Sequence, residues 1–357
     1  MFQLRIEDKI LQSVADFEAC PELSEIWAQE TIRFCLAWLK GEKTFSLQTS
    51  GSTGKPKVIR VSRQQMEASA QATRSFLGTG KNSRILNALN PEYIAGKMNL
   101  VRAMVWKCAI LCESPSNHPI GKSGLEFRPT FVTLVPTQVI ELLHRPQKKD
   151  SIKHLLIGGA PLSESLKKEI ASSGIPAWQT YGMTETVSHI ALARITQFPL
   201  RYHTLPRVEI GVSEEDALWV RCSMSNGEKI QTKDRVQLVS PTEFYWKGRL
   251  DFVINSGGIK LHPEELELKM ESIIHEFFPD VEFFLASEKD EKLGEKLVIL
   301  IEGPKIDSKI NAVFFSKLKS ALQKFEVPKE LYSISQFSRT PSGKINRKAT
   351  LAQLGLN

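Results

Sequence analysis

A repeated alternation of short apolar runs with amphipathic stretches constrains the fold of this 357-residue chain more than any other feature. Between residues 84 and 195, predicted strands alternate with predicted helices. The strands are predicted at 84–89, 109–113, 131–135 and 154–158, and the helices at 94–107, 137–143 and 163–172. Strands connected through helices become parallel neighbours in a sheet that the helices cover, so we predict an α/β protein.

The segments around this alternation complete two predicted domains. Residues 1–43 are typical of one strand and two amphipathic helices, and residues 207–247 are rich in predicted strands. After residue 250 the pattern is that of a compact α+β unit of about 100 residues. Its elements are a short strand, a Gly-Gly turn, a helix at 263–278, strands at 281–286 and 297–301, and a helix at 308–325. We expect a large domain at 1–249 with helix-covered mixed sheets, and a small α+β domain at 250–357.

The charge balance favours an anionic ligand. The formal net charge of +7 fits a nucleic acid, a membrane surface or a phosphorylated small molecule. The basic residues do not form a stripe with aromatic residues between them, since the longest basic runs are pairs such as Lys148-Lys149 and Lys167-Lys168. We therefore expect small phosphorylated substrates, no nucleic-acid partner and no stable membrane insertion, and we leave the oligomeric state open.

The five cysteines lie far apart and form no C-x-x-C pair, which favours free, buried thiols over a zinc site. No run of about 18 apolar residues and no signal-peptide pattern is found, so a cytoplasmic location is expected.

The segment from Thr49 to Lys57, T-S-G-S-T-G-K-P-K, concentrates glycine, hydroxyl and lysine residues. Glycine lets the backbone close on a ligand, hydroxyl and N–H groups donate to phosphate oxygens, and lysine supplies positive charge. It is not a Walker A loop, because Pro56 follows Lys55 and a strand comes next where that motif opens a helix. A phosphate-binding loop is predicted, with a flexible surface hairpin as the alternative.

This loop resembles the signature T-S-G-S-T-G-x-P-K of the adenylate-forming superfamily, which contains acyl-CoA ligases, adenylation domains and luciferases. The resemblance covers roughly residues 45–350 and implies that the loop holds the β- and γ-phosphates of ATP. The loop residues expected to bind ATP are Thr49, Ser50, Gly51, Ser52, Thr53, Gly54 and Lys55.

Two further segments resemble parts of the same family's nucleotide site. The segment from Gly158 through Gly159 to Ala160 would flank the adenine and acyl pocket. In the string Y-G-M-T-E-T, the resemblance implies that Tyr181 packs on the adenine and that Gly182 belongs to the ATP/AMP site. It also implies that Thr184 bonds the α-phosphate and that Glu185 holds Mg²⁺, a cation that prefers oxygen ligands. Taken alone, these strings also fit a common Gly-Gly turn and a helix N-terminus capped by Thr184.

The third group of matches lies around the predicted domain boundary. Thr232-Lys233-Asp234 resembles the family's T-G-D, in which the aspartate binds ribose, although Lys233 replaces the glycine. Arg249 would also contact ribose, and Asp251 would be the pivot. Phe252 occupies the position of a second aspartate in the family.

Beyond this pivot, Gly257 and Gly258 would leave room for the pantetheine arm of CoA. The residues from Glu264 to Glu267 are expected to form a solvated first helical turn, which the helix dipole favours.

The segment from Arg339 to Arg347 resembles the family's C-terminal catalytic loop, which makes Lys344 the expected catalytic lysine, with Thr184 and Glu185 beside it. The resemblance implies that Lys344 bridges a carboxylate and the α-phosphate of ATP while pyrophosphate leaves. The small domain would then turn about Asp251 so that the CoA thiol reaches the acyl-adenylate. ATP and CoA are the implied co-substrates, with Mg²⁺.

The short leader suggests the substrate. Only 48 residues precede Thr49, so the large domain is expected to be truncated at its start, which resembles short o-succinylbenzoate–CoA ligases of menaquinone biosynthesis. The segment from Asn90 to Arg102 resembles the L-P-x-x-H-I-A-G region of that group, with Tyr93 in place of histidine. The residues expected to bind the acyl substrate are Tyr93, Gly96, Arg102 and Ser188, of which the last two would bind its second carboxylate.

Several alternatives stay open at this stage. Arg102 also fits a charge on a helix surface. Another aryl- or acyl-CoA ligase, an enzyme that loads a carrier protein, and a non-catalytic nucleotide-binding protein are the competing functions.

Overall fold

The computed structural model describes residues 1–48, 58–145, 149–279, 281–340 and 344–356. The helices in these ranges are α1 (Val14–Glu18), α2 (Ile26–Leu39), α3 (Arg63–Leu77), α4 (Ile94–Trp106), α5 (Lys122–Phe127), α6 (Pro136–Leu143), α7 (Glu164–Ser172), α8 (Pro263–Phe277), α9 (Ser308–Ala321) and α10 (Arg347–Gln353).

The strands of the first two-thirds of the chain are β1 (Gln3–Ile6), β2 (Lys9–Leu11), β3 (Thr44–Gln48), β4 (Val58–Ser62), β5 (Arg84–Asn87), β6 (Ala109–Cys112), β7 (Phe131–Leu134), β8 (His154–Ile157), β9 (Ala177–Gly182), β10 (His189–Arg194), β11 (Arg201–Thr204), β12 (Glu209–Val212), β13 (Ala217–Arg221), β14 (Lys229–Ser240) and β15 (Glu243–Arg249). They are followed by β16 (Ile254–Ser256), β17 (Ile259–Leu261), β18 (Phe283–Asp290), β19 (Gly294–Glu302) and β20 (Glu330–Ile334).

A mixed sheet dominates the larger part of the molecule. Its strand order within the described ranges is β12-β13-β14-β15-β11-β10-β9-β8-β7-β5-β6-β1-β2. The strands from β9 to β1 in this order pair in parallel, and those from β12 to β10 pair antiparallel. The parallel part contains the four strands predicted from residues 84–195. The prediction of an α/β protein with helix-covered mixed sheets is confirmed.

The first 43 residues differ from the prediction in one respect. They form two strands instead of one, because β2 pairs antiparallel with β1 after a turn at Glu7, whose φ is 50°. The charged residues of that turn hide the hairpin from an analysis of apolar alternation. The predicted start of α3 is confirmed: Ser62 accepts a hydrogen bond from the backbone of Gln65, whose side chain accepts one from the backbone of Ser62.

Helix α4 is unusual because nearly every residue from Gly96 to Trp106 is buried, the polar ones included. Its N-terminal turn packs tightly on the preceding loop. A Cβ atom built on Gly96 would lie 2.6 Å from the carbonyl oxygen of Asn90 and 2.9 Å from that of Leu89. A helix covered on all sides can carry polar groups only where other polar groups meet them, so α4 brings Asn99 and Arg102 into the interior.

The C-terminal part has a sheet of its own, with strand order β17-β16-β19-β18 and β20 beside β19. Helices α8 and α9 pack on one face, and Phe284, Ile334 and Phe337 belong to a second cluster. The main apolar cluster of the large part ends at Phe244 and that of the small part begins at Ile254. The predicted domain boundary at residues 249–251 falls between these two clusters and stays a prediction.

The first turn of α8 is not solvated as predicted. Glu264 is 8% exposed, and the carboxylate of Glu267 accepts hydrogen bonds from Arg347 at 2.8 Å and from the backbone of Leu285 at 2.8 Å. The prediction was wrong because a dipole argument considers the helix alone, whereas this turn packs against β15 and the C-terminal segment.

Other features agree with the sequence. The five cysteines are free, and all but the half-buried Cys20 are buried. Among the helices of the described ranges, none is long and apolar enough to cross a membrane.

Replacing Gly96 by alanine should lower the free energy of unfolding by about 1–3 kcal/mol, because the new methyl group meets backbone atoms that cannot rotate away. Chemical denaturation measures this change. Ala95→Ser, at the exposed neighbouring position of α4, is the control and should stay within about 0.5 kcal/mol of the wild type. Equal stability of both variants would contradict the close contact at Gly96.

Candidate active site

The carboxylate of Asp234 lies at the centre of the predicted nucleotide site. It accepts hydrogen bonds from the hydroxyl of Tyr181 at 2.7 Å and from the indole of Trp246 at 3.3 Å. The guanidinium of Arg249 lies 3.5 Å away, since Asp234 on β14 and Arg249 on β15 are register partners. Three of the predicted nucleotide-binding residues are thus in direct contact.

Tyr181 connects this carboxylate to the apolar core. Its ring packs edge-on against Tyr202 and Phe244, with centroid distances of 5.8 and 5.3 Å. Burial, followed by the charge of Asp234, raises the pKa of Tyr181, so its hydroxyl remains a proton donor to the carboxylate. A half-buried ring with a fixed hydroxyl orients Asp234 for a ligand that brings hydroxyl groups of its own.

Trp246 was not predicted from the sequence. A register shift between Arg235 and Val236 in the pairing of β14 with β15 brings its indole to Asp234. Bulges of this kind leave no mark in the alternation of apolar residues.

The predicted pivot is held by charges from the same region. Arg249 donates two hydrogen bonds to Asp251, from Nε at 2.8 Å and from Nη2 at 2.9 Å. Burial alone raises the pKa of Asp251, but the bonds and charge of Arg249 lower it overall. Lys233, the residue that replaces glycine in the T-G-D motif, lies 4.0 Å from Asp251. Arg249 therefore links the nucleotide site to the domain boundary.

Thr184 and Glu185 lie in a short 3₁₀-helix at residues 184–186, directly after β9. The structure thus excludes an α-helix N-terminus at this string. Glu185 is exposed and makes no hydrogen bond or ion pair among the described residues. One free carboxylate fits Mg²⁺, which is typically held by one or two carboxylates together with substrate phosphates.

The turn between β9 and β10 is tightly constrained. A Cβ atom on Gly182 would lie 2.3 Å from the carbonyl oxygen of Ser188, so glycine is required there. Val187, a buried β-branched residue, has a φ of 64°, which is strained for such a side chain. This turn carries Glu185 on one side and Ser188 on the other.

The segment from Gly158 to Ala160 follows the carboxyl end of β8, next to β9. A Cβ atom on Gly158 would lie 2.4 Å from the hydroxyl of Thr180, and Gly159 has a φ of 92°. Open α/β sheets bind ligands at this end of their strands. The three residues therefore lie where a nucleotide is expected, beside the strand that carries Tyr181.

Arg102 is buried, with 1% of its surface exposed, so it is not a surface charge. It donates from Nη1 to Asn99 at 2.9 Å and from Nη2 to Ser188 at 3.3 Å. Its Nε has no partner, and no carboxylate pairs with it among the described residues. Burial lowers the pKa of Arg102 to about 10, which still leaves it charged at neutral pH. The two residues predicted to bind a second carboxylate are thus together, around an uncompensated positive charge.

The hydrogen bonds around Ser188 have a defined direction. The hydroxyl of Thr73 donates to the carbonyl of Ser69 at 3.0 Å, so it accepts from Nε2 of His189, also at 3.0 Å. Nδ1 of His189 is then an acceptor for Ser188, 3.4 Å away. Burial, followed by the charge of Arg102, holds the pKa of His189 well below its ordinary value, so this histidine adds no second positive charge.

Lys344 lies close enough to the nucleotide site for the charges of Asp234 and Arg249 to affect its pKa. Burial by the surrounding protein lowers its pKa, although the side chain remains exposed to water at one side. The carbonyl of Lys344 accepts a hydrogen bond from the backbone of Thr340 at 2.8 Å, and Arg339 and Ile345 form a β-bridge. These contacts hold the ends of the predicted catalytic loop together.

For some of the predicted site residues, the structure does not test the predicted role. Thr49–Lys57, including all seven predicted loop ligands, and Pro341–Gly343 lie outside the described residues. Gly257 and Gly258 form the exposed turn between β16 and β17 with φ values of 57° and 81°, a hairpin that itself requires such residues. Their contact with CoA stays a prediction, as does the role of Tyr93, which precedes α4, and of Gly96 in acyl binding.

A predicted nucleotide site beyond the carboxyl end of β8, a free carboxylate and a lysine from the C-terminal segment are together typical of adenylate-forming enzymes. A family model described as AMP-binding enzyme matches residues 15–216, more than half of the chain, and the chain belongs to that family. The resemblance found in the motifs is confirmed.

Relatives of known name agree with this assignment. The 2-succinylbenzoate–CoA ligase of Lactococcus lactis subsp. lactis is 25% identical over 91% of this chain and 75% of that protein. An acyl-CoA synthetase (AMP-forming)/AMP-acid ligase II-like protein from Dyadobacter fermentans is 34% identical, with a TM-score of 0.62 over 96% of this chain and 99% of that one. The o-succinylbenzoate CoA synthetase of Bacillus subtilis, solved with the acyl-adenylate intermediate, is 23% identical, with a TM-score of 0.72 over 85% of this chain and 68% of that one, and has the same fold.

Glu264 lies next to Gly248, the residue that precedes Arg249 of the predicted nucleotide site. Its Oε2 has no hydrogen-bond partner and would be 2.8 Å from a Cβ atom on Gly248. Burial raises the pKa of Glu264 to about 7, against the attraction of Arg347. The native state thus binds a proton here that the unfolded chain, with an ordinary glutamate pKa, has released.

The contribution of Glu264 to stability should therefore increase as the pH falls through 7. Between pH 8 and pH 6 the gain is about 1.4 kcal/mol, since stability rises tenfold for each pH unit in which only the native state is protonated. Urea denaturation of the wild type and of Glu264→Gln at both pH values measures it. The difference between the two proteins should change by this amount, and a difference independent of pH would contradict the raised pKa.

Proposed function

We propose that this protein is an o-succinylbenzoate–CoA ligase, which converts o-succinylbenzoate, ATP and CoA to o-succinylbenzoyl-CoA, AMP and pyrophosphate through an acyl-adenylate. The observation that carries the substrate assignment is Arg102, a buried cation beside Ser188 with no carboxylate partner among the described residues. The 2-succinylbenzoate–CoA ligases among the relatives support the same substrate.

The energetic argument rests on desolvation. An isolated charge in a protein interior costs several kcal/mol unless an opposite charge or hydrogen bonds compensate it. Arg102 has only Asn99 and Ser188 as hydrogen-bonding partners, and its Nε is free. A substrate with a second carboxylate compensates this charge, whereas a monocarboxylate leaves it unpaired. Arg102 thus selects dicarboxylates, because a bound monocarboxylate leaves its buried charge unpaired at a cost in free energy.

In the first half-reaction, Asp234 and Arg249 hold the ribose, Tyr181 packs on the adenine, and Thr184 donates to the α-phosphate. Lys344 bridges the α-phosphate and the attacking carboxylate, so that two anions can approach each other and pyrophosphate can leave. The segment Thr49–Lys57 is proposed to hold the β- and γ-phosphates. When bound at Glu185, Mg²⁺ supplies further positive charge for the phosphates.

In the second half-reaction, the proposed mobile domain at residues 250–357 turns about Asp251. This movement withdraws Lys344 and brings the turn at Gly257 and Gly258 to the acyl-adenylate, where the CoA thiol attacks the carbonyl. A cytoplasmic location remains the expectation for an enzyme of these small-molecule substrates.

The second candidate is another aryl- or acyl-CoA ligase with the same chemistry, and the third is a non-catalytic nucleotide-binding protein. ATP-dependent thioester formation with free CoA, measured for o-succinylbenzoate, benzoate and fatty acids, separates the three. Preference for o-succinylbenzoate supports the proposal. Preference for a monocarboxylate overturns the substrate, and the absence of any thioester overturns the enzymatic function.

Arg102→Ala should raise KM for o-succinylbenzoate at least tenfold, because a hydrogen-bonded ion pair of this kind contributes about 2–4 kcal/mol. Its activity with benzoate should change little. Lys97→Met is the matched control, because Lys97 is also buried in α4 but pairs with Glu30 at 3.0 Å. The control should lower stability and leave KM unchanged. An unchanged KM in Arg102→Ala would remove this residue from the substrate site.

Lys344→Ala should slow acyl-adenylate formation by about a hundredfold or more, since it removes the charge that stabilises the transition state. Thioester formation from a supplied acyl-adenylate should keep its rate. Lys348→Ala, an exposed lysine on the same segment, is the control and should be normal in both steps. If both half-reactions of Lys344→Ala keep the wild-type rate, the protein does not use this lysine and the catalytic assignment fails.

A further inference from the structure

The ring of Phe252 contacts one guanidinium group on each side of the domain boundary. Arg249, which holds Asp234 and Asp251, has its guanidinium carbon 5.8 Å from the ring centroid. Arg347, at the start of α10, has its own 4.9 Å from the same centroid. Both distances fall in the range of about 6 Å within which a cation is attracted to an aromatic ring. Phe252 is thus a bridge between the nucleotide site and the C-terminal segment.

Arg347 is well placed to transmit this contact to the catalytic loop. It lies three residues after Lys344 and is the first residue of α10, whose cap is Asn346. Within the small domain it donates to Glu267 at 2.8 Å and to the carbonyl of Leu285 at 3.4 Å. Its position relative to the small domain is therefore fixed, and any group that holds Arg347 also holds the end of the loop that carries Lys344.

The arrangement explains why an aromatic residue suits this position. Asp251 already neutralises Arg249, and Glu267 already neutralises Arg347. A carboxylate at position 252 would compete with both ion pairs and draw the two arginines into a charged cluster. An uncharged ring adds attraction to both guanidinium groups and leaves the existing pairs intact, so the contact can form and separate without stranding a charge.

We infer that Phe252 is a positioning residue for the first half-reaction: its ring, held within the small domain by Arg347, contacts Arg249 across the boundary and thereby keeps Lys344 on the side of Asp234 and Arg249. The inference rests on the proposed function in so far as Lys344 must act in acyl-adenylate formation. The contact with Arg249 is not needed once the small domain turns, so the second half-reaction does not depend on the ring.

The test measures the two half-reactions separately in the full-length protein. ATP–pyrophosphate exchange reports acyl-adenylate formation, and thioester formation from a supplied acyl-adenylate with CoA reports the second step. Phe252→Leu keeps an apolar side chain and removes the ring, so exchange should slow about three- to tenfold while thioester formation stays within twofold. Phe252→Tyr keeps the ring and should restore exchange to the wild-type rate.

Two further variants distinguish positioning from a general loss of structure. Phe278→Leu, which removes a half-buried ring that packs on Phe314 in the small domain, should lower the melting temperature without a selective effect on exchange. In an Arg347→Met background, Phe252→Leu should cause no additional loss, because the ring is then no longer connected to the segment that carries Lys344. Equal losses in both half-reactions, normal exchange in Phe252→Leu, or additive losses with Arg347→Met would each overturn the inference.

The carboxylate used is whichever one supports exchange in the wild type. If o-succinylbenzoate does not support exchange but another carboxylate does, the proposed substrate is overturned and the variants still decide the role of Phe252. A wild-type protein that shows no exchange with any carboxylate overturns the proposed function and this inference together.

Discussion

The hydrogen bonds and charge contacts of Asp234 join the parts of the protein that have to act together. Tyr181 approaches from β9, Asp234 itself lies on β14, and Trp246 and Arg249 come from β15. Because Arg249 also binds Asp251 through two hydrogen bonds, the position of the nucleotide site and that of the domain boundary are set by the same side chain. A ligand that contacts Asp234 and Arg249 would therefore act at the proposed pivot as well as in the proposed site.

The proposed acyl side of the site depends on a different kind of constraint, the free-energy cost of a buried charge. Arg102 lies in a helix that is covered on all sides, and the hydrogen bonds that it donates to Asn99 and Ser188 do not neutralise it. The turn that supplies Ser188 is itself strained at Val187 and closes only because Gly182 has no side chain. Strain and unpaired charge are tolerated where the rest of the structure determines the conformation, and they are concentrated at sites of function.

Much of this arrangement could be predicted from the sequence, for identifiable reasons. The parallel strands β5 to β8 are short apolar runs that alternate with helices along the chain, which is a strong pattern. Residues such as Asp234, Arg249 and Lys344 belong to motifs whose order along the chain is itself informative. The environment of single residues could be predicted less well from the sequence. Nothing in the sequence around Arg102 distinguishes a surface charge from a buried one, because periodicity within α4 is absent when every face is covered.

Glu264 and Trp246 illustrate the same limit. A glutamate in the first turn of a helix satisfies the helix dipole whether it is solvated or buried, so only the packing of α8 against β15 decides its state. The position of Trp246 depends on a register shift between β14 and β15 that no pattern in the sequence reveals. Local rules predicted the elements, whereas contacts between elements determined the chemistry of the residues at their interfaces.

The contacts between the two parts of the molecule have a common character that bears on movement. Arg235 pairs with Glu265 at 3.0 Å, Glu271 accepts a hydrogen bond from the first residue of α7 at 2.8 Å, and Arg249 contacts the ring of Phe252. Each is a polar or cation–aromatic contact whose partners can be hydrated when separated, and no large apolar cluster among the described residues spans the boundary. Polar interfaces of this type favour relative movement of domains over a permanent association. The proposed mechanism requires such an interface, because an apolar contact strong enough to hold Lys344 in place permanently would prevent the proposed second step.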